Sequence, residues 1–407
     1  MTKNRRTLRT REARALLVAA AVVIVGASCE ASPPPVEETG AKHPPSSTAP
    51  MPGPVSGKPK PKPAPKPTVP STPTTQAPTT LPPTTQPPST PTTVPSGGSG
   101  RPGVAVNESL IPAARSGFTG PQIIRETYSP GPGDGSAQFR TNCRFSHMAF
   151  DDPIVFPGRA GAAHLHIFFG NTGANANSTP ESIRTSGNST CWGGTANRSS
   201  YWAPAVIDTA TGAPVIADAN QSDRDSFLQI YYKTGYEGVL PTTVQNFPEG
   251  LRMIAGSATS TGPQPGVVTF TCEGGQSTTA FPTSCAPGRL FVMSIKFPQC
   301  WDGRNLDSPD HKSHMAYALG WPDKGCPSSH PVPLAQITQN YRYRVPASGM
   351  ASWRLSSDMY SGPAGYSAHA DWMNGWDRAV FQRVVDNCYR RGLDCGMNLL
   401  GDGWELR

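Results

Sequence analysis

The sequence predicts a mainly β fold: a disulfide-stapled β-sandwich or jelly-roll-like domain with long loops and a C-terminal helix. Three observations predict it. Charged residues make up only 15% of the 407 positions, whereas 41 Gly and 46 Pro exceed a fifth, which excludes a long-helix or coiled-coil protein. Short apolar and β-branched runs recur between turn residues, with no strand–helix alternation of the kind a doubly wound sheet or barrel needs. Eight of the nine cysteines lie beyond residue 140, an even number that suits four disulfides in an exported domain.

The chain opens with a signal sequence, residues 1–28. Met1–Arg14 is positively charged and Ala15–Val25 is an unbroken apolar run of eleven residues. That run is shorter than the roughly 20 residues a membrane-spanning helix needs, and it suits an export signal. Val25-Gly26-Ala27-Ser28-Cys29 resembles the lipobox of bacterial lipoproteins, although Gly26 stands where a larger aliphatic residue is usual. Cys29 is therefore the expected acylation site and membrane anchor; ordinary cleavage after Ala27, giving a freely secreted protein, is the alternative. Residues 29–103 read as a disordered stalk. Between Ala31 and Gly100 there are 22 prolines and no Phe, Tyr or Trp, so the segment cannot bury enough apolar surface to offset its ordering entropy.

Net charge separates the stalk from the domain. The chain carries +7, from 35 Lys and Arg against 28 Asp and Glu. Residues 1–100 hold eleven basic and four acidic side chains, so residues 101–407 are balanced at 24 of each. A nucleic-acid partner needs a basic face on the folded part, and this balance gives no reason to expect one.

Within the domain, residues 104–407, the strand-like runs are Ala163–Phe169, Tyr201–Ile207, Phe227–Lys233, Val267–Cys272 and Leu290–Phe297. The last is rich in apolar and β-branched residues and stops at Pro298, as a buried strand would. Residues 210–225 form a candidate boundary between two subdomains. Trp376, Val380, Val384 and Cys388 recur at a spacing of four, which predicts a helix over Asp377–Tyr389 with Asn374 or Asp377 as its cap and Gly392 as its stop. Proximity pairs Cys272–Cys285, Cys300–Cys326 and Cys388–Cys395 and leaves Cys143–Cys191, one of 105 connectivities.

Chemistry concentrates in histidine and acid clusters. His164 and His166 sit two apart in a strand-like segment, so both imidazoles project to one face and can converge on a metal. Asp302, Asp307, Asp310, His311 and His314 follow Trp301 in a loop, and His369 and Asp371 repeat the two-residue spacing just before the helix. His164, His166, His311 and His314 are the candidate ligands of a divalent ion such as zinc, copper or manganese. Asp302, Asp307, Asp310, His369 and Asp371 are the candidate acid/base residues. Trp301 and Trp372 adjoin these clusters, where a ring can stack on the apolar face of a sugar. His147 and His330 read as histidines satisfied by backbone carbonyls. HExxH, GxSxG, P-loop and EF-hand motifs are absent.

Six segments, in order, resemble one family: Asp152-Pro-Ile-Val-Phe-Pro-Gly158, His164-Leu-His-Ile-Phe-Phe-Gly-Asn171, Tyr201-Trp-Ala-Pro204, Cys300-Trp-Asp-Gly-Arg-Asn-Leu-Asp-Ser-Pro-Asp-His-Lys-Ser-His314, Cys326-Pro-Ser-Ser-His-Pro331 and His369-Ala-Asp-Trp-Met-Asn-Gly-Trp-Asp377. The chain is similar over about residues 140–395 to the domain of unknown function 1996, found in secreted fungal and bacterial proteins. Some fungal members carry a carbohydrate-binding module of the WSC type, which this chain lacks. The resemblance implies work on a polysaccharide and brings no catalytic residues with it. Asn171, which ends the second segment, joins Trp301 and Trp372 as a candidate substrate-binding residue. The expected function is an extracytoplasmic, lipid-anchored domain that binds or hydrolyses a cell-envelope glycan, glycoside hydrolysis being the first activity to test. The alternatives are a non-catalytic metal-binding protein and a structural wall-binding module.

Overall fold

The computed structural model describes residues 102–217, 227–320 and 324–407. The expected signal sequence, acylation site Cys29 and stalk, up to Arg101, lie outside these residues. Among the described residues no helix is long and apolar enough to cross a membrane.

The domain is mainly β, and two sheets dominate it. The larger runs Ser277–Thr278, Val268–Cys272, Leu290–Lys296, Gln336–Arg344, Leu228–Thr234, Ala137–Cys143, Leu393–Met397 and Gly131–Pro132, antiparallel throughout except where Leu393–Met397 lies parallel to Ala137–Cys143. The smaller runs Arg252–Gly256, His369–Met373, Ser200–Pro204, His166–Gly170 and Phe145–Ala149, all antiparallel. All five expected strand regions are strands, with ends shifted by a few residues; Tyr201–Ile207 breaks into Ser200–Pro204 and Val206–Asp208.

Alternation along the strands explains the sandwich. Phe139, Ile230, Tyr232, Met293, Ile337 and Tyr341 of the larger sheet share one buried cluster with Ile167, Phe169, Tyr201, Met253 and Trp372 of the smaller. Phe169 meets Tyr341 with ring centroids 5.6 Å apart, and the Tyr201 and Tyr232 hydroxyls hydrogen-bond at 2.6 Å. The candidate boundary at 210–225 divides nothing: Ala137–Cys143 pairs with Leu228–Thr234, and Ser200–Pro204 pairs with His369–Met373, so strands from both sides interleave.

The C-terminal helix forms as Arg378–Val384, capped by the Asp377 carboxylate on the Ala379 and Val380 N–H groups, and passes into a π-turn over Val385–Tyr389. Phe381 seats it against Tyr232, Phe247 and Trp376. All four disulfides join the pairs expected from proximity.

The smaller sheet's other face positions the site. Register places His147, Phe168, Trp202, Asp371 and Ile254 in one row across five strands, with His166, Gly256 and His369 toward one end of the same face. Residues 150–165 and 171–198 fold over it and close a second small core of Ile154, Phe168, Ala174, Ile183, Trp202 and Met373. Within that cover the Asp151 carboxylate accepts from the Gly161 and Ala176 N–H groups, which holds the loop against the sheet.

Candidate metal centre

Seven histidines lie in the described domain, and their hydrogen bonds sort them. The His147 ring bonds to the Ser146 hydroxyl and the Ala174 carbonyl. The His330 ring bonds to the Ser329 hydroxyl and the Ser313 carbonyl. His314 does the same with the Ser308 hydroxyl at 2.9 Å and the Arg252 carbonyl at 2.7 Å, so neither of its nitrogens is left for an ion. His311 holds its Nδ1 on the Asp307 carboxylate at 3.0 Å.

The other three differ. His166 donates from Nδ1 to the Asp151 carbonyl at 2.9 Å, and His369 donates from Nδ1 to the Ser367 carbonyl at 2.9 Å. A carbonyl only accepts, so each Nδ1 carries the proton and each Nε2 presents a lone pair, the arrangement by which proteins orient metal-binding imidazoles. The Nε2 atoms of His164 and His166 are buried and have no hydrogen-bond partner. One ligand atom from each of His164, His166 and His369 falls within 4.8 Å of the others. Ligand atoms of Asp152, His166 and Asp371 form a second such group. Both groups share His166, whose single available lone pair admits one ion. Donors on a tetrahedral ion with bonds of about 2.0–2.2 Å stand about 3.3–3.6 Å apart, so side-chain shifts of up to about an ångström bring either group into contact.

Electrostatics keep the imidazoles neutral and the carboxyls reluctant to ionise. Burial pushes His166 and His369 down to about 4, and it holds His164 well below the usual imidazole range, reinforced by the other two rings. Asp371 is fully buried, and neither carboxylate oxygen finds a partner. Burial, and then the charge of Asp152, raise its pKa well above the ordinary value, against the pull of Lys312. Asp152 is raised by burial too, although it accepts from the Ile154 and Val155 N–H groups at 2.9 Å.

A cavity of about 370 Å³ opens over this cluster. His164, His369, Asp152 and Asp371 line its floor, Val155, Phe156 and Met359 an apolar wall, and Asp310, His311 and Lys312 its rim. Of the residues singled out from sequence, His164, His166, His369 and Asp371 thus converge, with Asp310 and His311 at the mouth. The acids of the Asp302–Asp310 loop are engaged with other partners. Asp302 accepts from the Arg304 and Asn305 N–H groups, Asp307 pairs with Arg252 at 3.2 Å, and Asp310 caps the turn at Lys312 and Ser313. Trp301 donates to the Asn305 carbonyl, and neither it nor Trp372 lines the cavity. Trp372 is fully buried on the sandwich side of its strand, where its ring meets Phe247. Asn171 is buried as well and braces the covering loop through the Ile183 and Ser186 carbonyls and the Gly173 N–H. Asp152 joins the site too; it opens the first of the family-like segments but is not among the candidate acids.

No curated protein and no solved structure matches the chain. One family model does, over residues 152–376, a stretch that contains all five converging side chains. That model covers more than half of the 407 residues, and the chain belongs to the family it describes, the domain of unknown function DUF1996.

Proposed function

We propose that this domain holds one divalent transition-metal ion on His164, His166 and His369, with Asp371 as its carboxylate ligand and Asp152 beside it. We propose also that the cavity above the ion takes a segment of an envelope polysaccharide. The observation that carries the metal reading is the set of buried donors without partners: Nε2 of His164, Nε2 of His166 and both oxygens of Asp371. Buried polar atoms are almost always hydrogen-bonded, and a cation satisfies all of these at once. Three imidazoles favour zinc or copper over manganese.

Bound there, such an ion supplies Lewis acidity toward a ligand oxygen or a water molecule. The chain's own residues do the rest. The neutral imidazoles keep their lone pairs available, the Asp151 and Ser367 carbonyls fix two of the rings, and the apolar wall excludes water from one side. The export signature and a cavity within the range of small-molecule sites support a glycan as the occupant. A carboxylate pair drawn from Asp302, Asp307 and Asp310 is not favoured, since Asp302 and Asp310 accept from N–H groups of their own loop and Asp307 pairs with Arg252.

The test is elemental analysis of the oxidised protein after zinc or copper loading and dialysis, with a glycan pull-down alongside. About one ion per chain is expected in the wild type and background content in His166→Ala and His369→Ala. His314→Ala is expected to lower the melting temperature and keep the ion. Sub-stoichiometric metal in the folded, loaded wild type would end the reading.

A further inference from the structure

A second concavity, of about 580 Å³, shares no lining residue with the metal centre. It lies where the chain crosses from the larger sheet to the smaller one, between Cys143 and Phe145. Arg115, Arg144, Phe118 and Trp192 line it together with Thr190, and no acidic side chain does.

Two of these residues are held unusually firmly for a surface groove. Cys143 and Cys191 are disulfide-bonded and paired antiparallel. On either side of them the Arg144 N–H donates to the Thr190 carbonyl, and the Trp192 N–H donates to the Asn142 carbonyl. The Thr190 hydroxyl adds a 2.6 Å bond to the Arg144 carbonyl. Alternate residues of a paired ribbon share a face. Arg144 and Trp192 therefore project together, on the side away from the disulfide. Arg144 is exposed and makes no ion pair or side-chain hydrogen bond among the described residues. Phe118, 42% exposed, adds a second ring. The guanidinium of Arg115 stands 5.8 Å from the Phe145 ring centroid, which keeps a second positive charge beside the groove.

A guanidinium fork matches the oxygens of a carboxylate or phosphate, and an indole offers its face to a sugar ring. We propose that this groove is a binding site for an oxyanion-bearing saccharide, with Arg144 on the anion and Trp192 stacked on the adjoining ring. Residues 101–407 carry no net charge, so the attraction is local to Arg144. The proposal stands independently of the metal centre.

Titration calorimetry on the full chain, disulfides intact and in metal-free buffer, tests it with three probes: hexagalacturonate, its methyl ester and a mannose oligosaccharide carrying phosphate monoesters. At least one anionic probe is expected to bind, and which one identifies the source of the oxyanion. The ester is expected to bind about tenfold more weakly than the acid, the size of one charge-assisted contact. Arg144→Gln and Trp192→Ala are each expected to weaken binding by about the same factor. His166→Ala should leave it unchanged, which separates this site from the metal reading. If Trp192→Ala melts early, Trp192→Phe and Arg144→Gln carry the comparison. Equal binding of acid and ester, no binding of either anion, or an Arg144→Gln variant with wild-type affinity would overturn the proposal.

Discussion

Asp371 has no hydrogen bond to either oxygen and no exposed surface. An unpaired charge in such a place costs several kcal/mol, so in the metal-free protein the group answers by holding its proton. A cation reverses this, because it compensates the ionised form directly. The two states give opposite predictions for Asp371→Asn. Without metal the variant should melt at or above the wild-type temperature, because an amide has no charge to desolvate. With zinc in excess it should lose most of the ligand-induced stabilisation, which is about 2.7 kcal/mol at a hundredfold excess over Kd. Calorimetric melting with and without zinc reads both. An early-melting variant whose zinc response is intact would make Asp371 a structural acid. Asp307 shows the contrast: its Arg252 and His311 partners already satisfy it, and removing it should cost stability in either state.

At the scale of elements, the site depends on one strand pair. Gly256 ends the Arg252–Gly256 strand opposite His369, with φ at 83°. A Cβ there would come within 2.5 Å of the Ala368 carbonyl oxygen and 2.9 Å of the His369 Cα. Gly256→Ala is therefore expected to push the His369 backbone away from His164 and His166, at about 1–3 kcal/mol of strain. Zinc titration should show weaker binding in a chain whose other strands remain paired. Unchanged affinity would mean that the strand end moves freely. This dependence on register also explains what was legible in the sequence. The apolar runs announced their strands, and proximity announced three disulfides and left Cys143–Cys191, 48 residues apart, as the remainder. His164 and His166 are expected to share a strand face. His164 instead stands in a bend before the His166–Gly170 strand, yet the two rings still meet with centroids 4.3 Å apart. From Ile337 onward Gln336–Arg344 alternates between buried and half-buried positions, yet its many polar residues hid it among the loops. His369–Met373 was hidden for the opposite reason: all five residues are buried because loops cover its outer face, so no alternation marks it. Asp152 reaches the site only through the fold of the covering loop. His314 left the ligand set because Ser308 and Arg252 claim its ring, and those contacts depend on partners that spacing does not reveal.

At the scale of the whole molecule, the family match and the folding unit have different extents. The matched residues 152–376 contain every donor of the candidate centre. They omit Ala137–Cys143, which lies inside the larger sheet between Leu228–Thr234 and Leu393–Met397, and Phe145–Ala149, the edge of the smaller. They also omit the Arg378–Val384 helix with the Cys388–Cys395 disulfide behind it, and they cut the Cys143–Cys191 disulfide. Phe139, Phe145, Phe381 and Val384, all fully buried, would leave the core. At about 1.5–3 kcal/mol each, their loss is comparable to the whole 5–15 kcal/mol margin of a native domain. A fragment of residues 152–376 is therefore expected to show no cooperative melting and no stoichiometric zinc, despite holding all five donors. A fragment of residues 102–407 should melt as the full chain does and bind the same ion. The pair of fragments separates two views of the centre. If the shorter piece bound zinc with full affinity, the five side chains would form an autonomous local motif. Loss of binding with loss of the outer strands would instead mean that the sandwich holds His164, His166 and His369 in position, and that the buried cost of Asp371 is borne by the whole core.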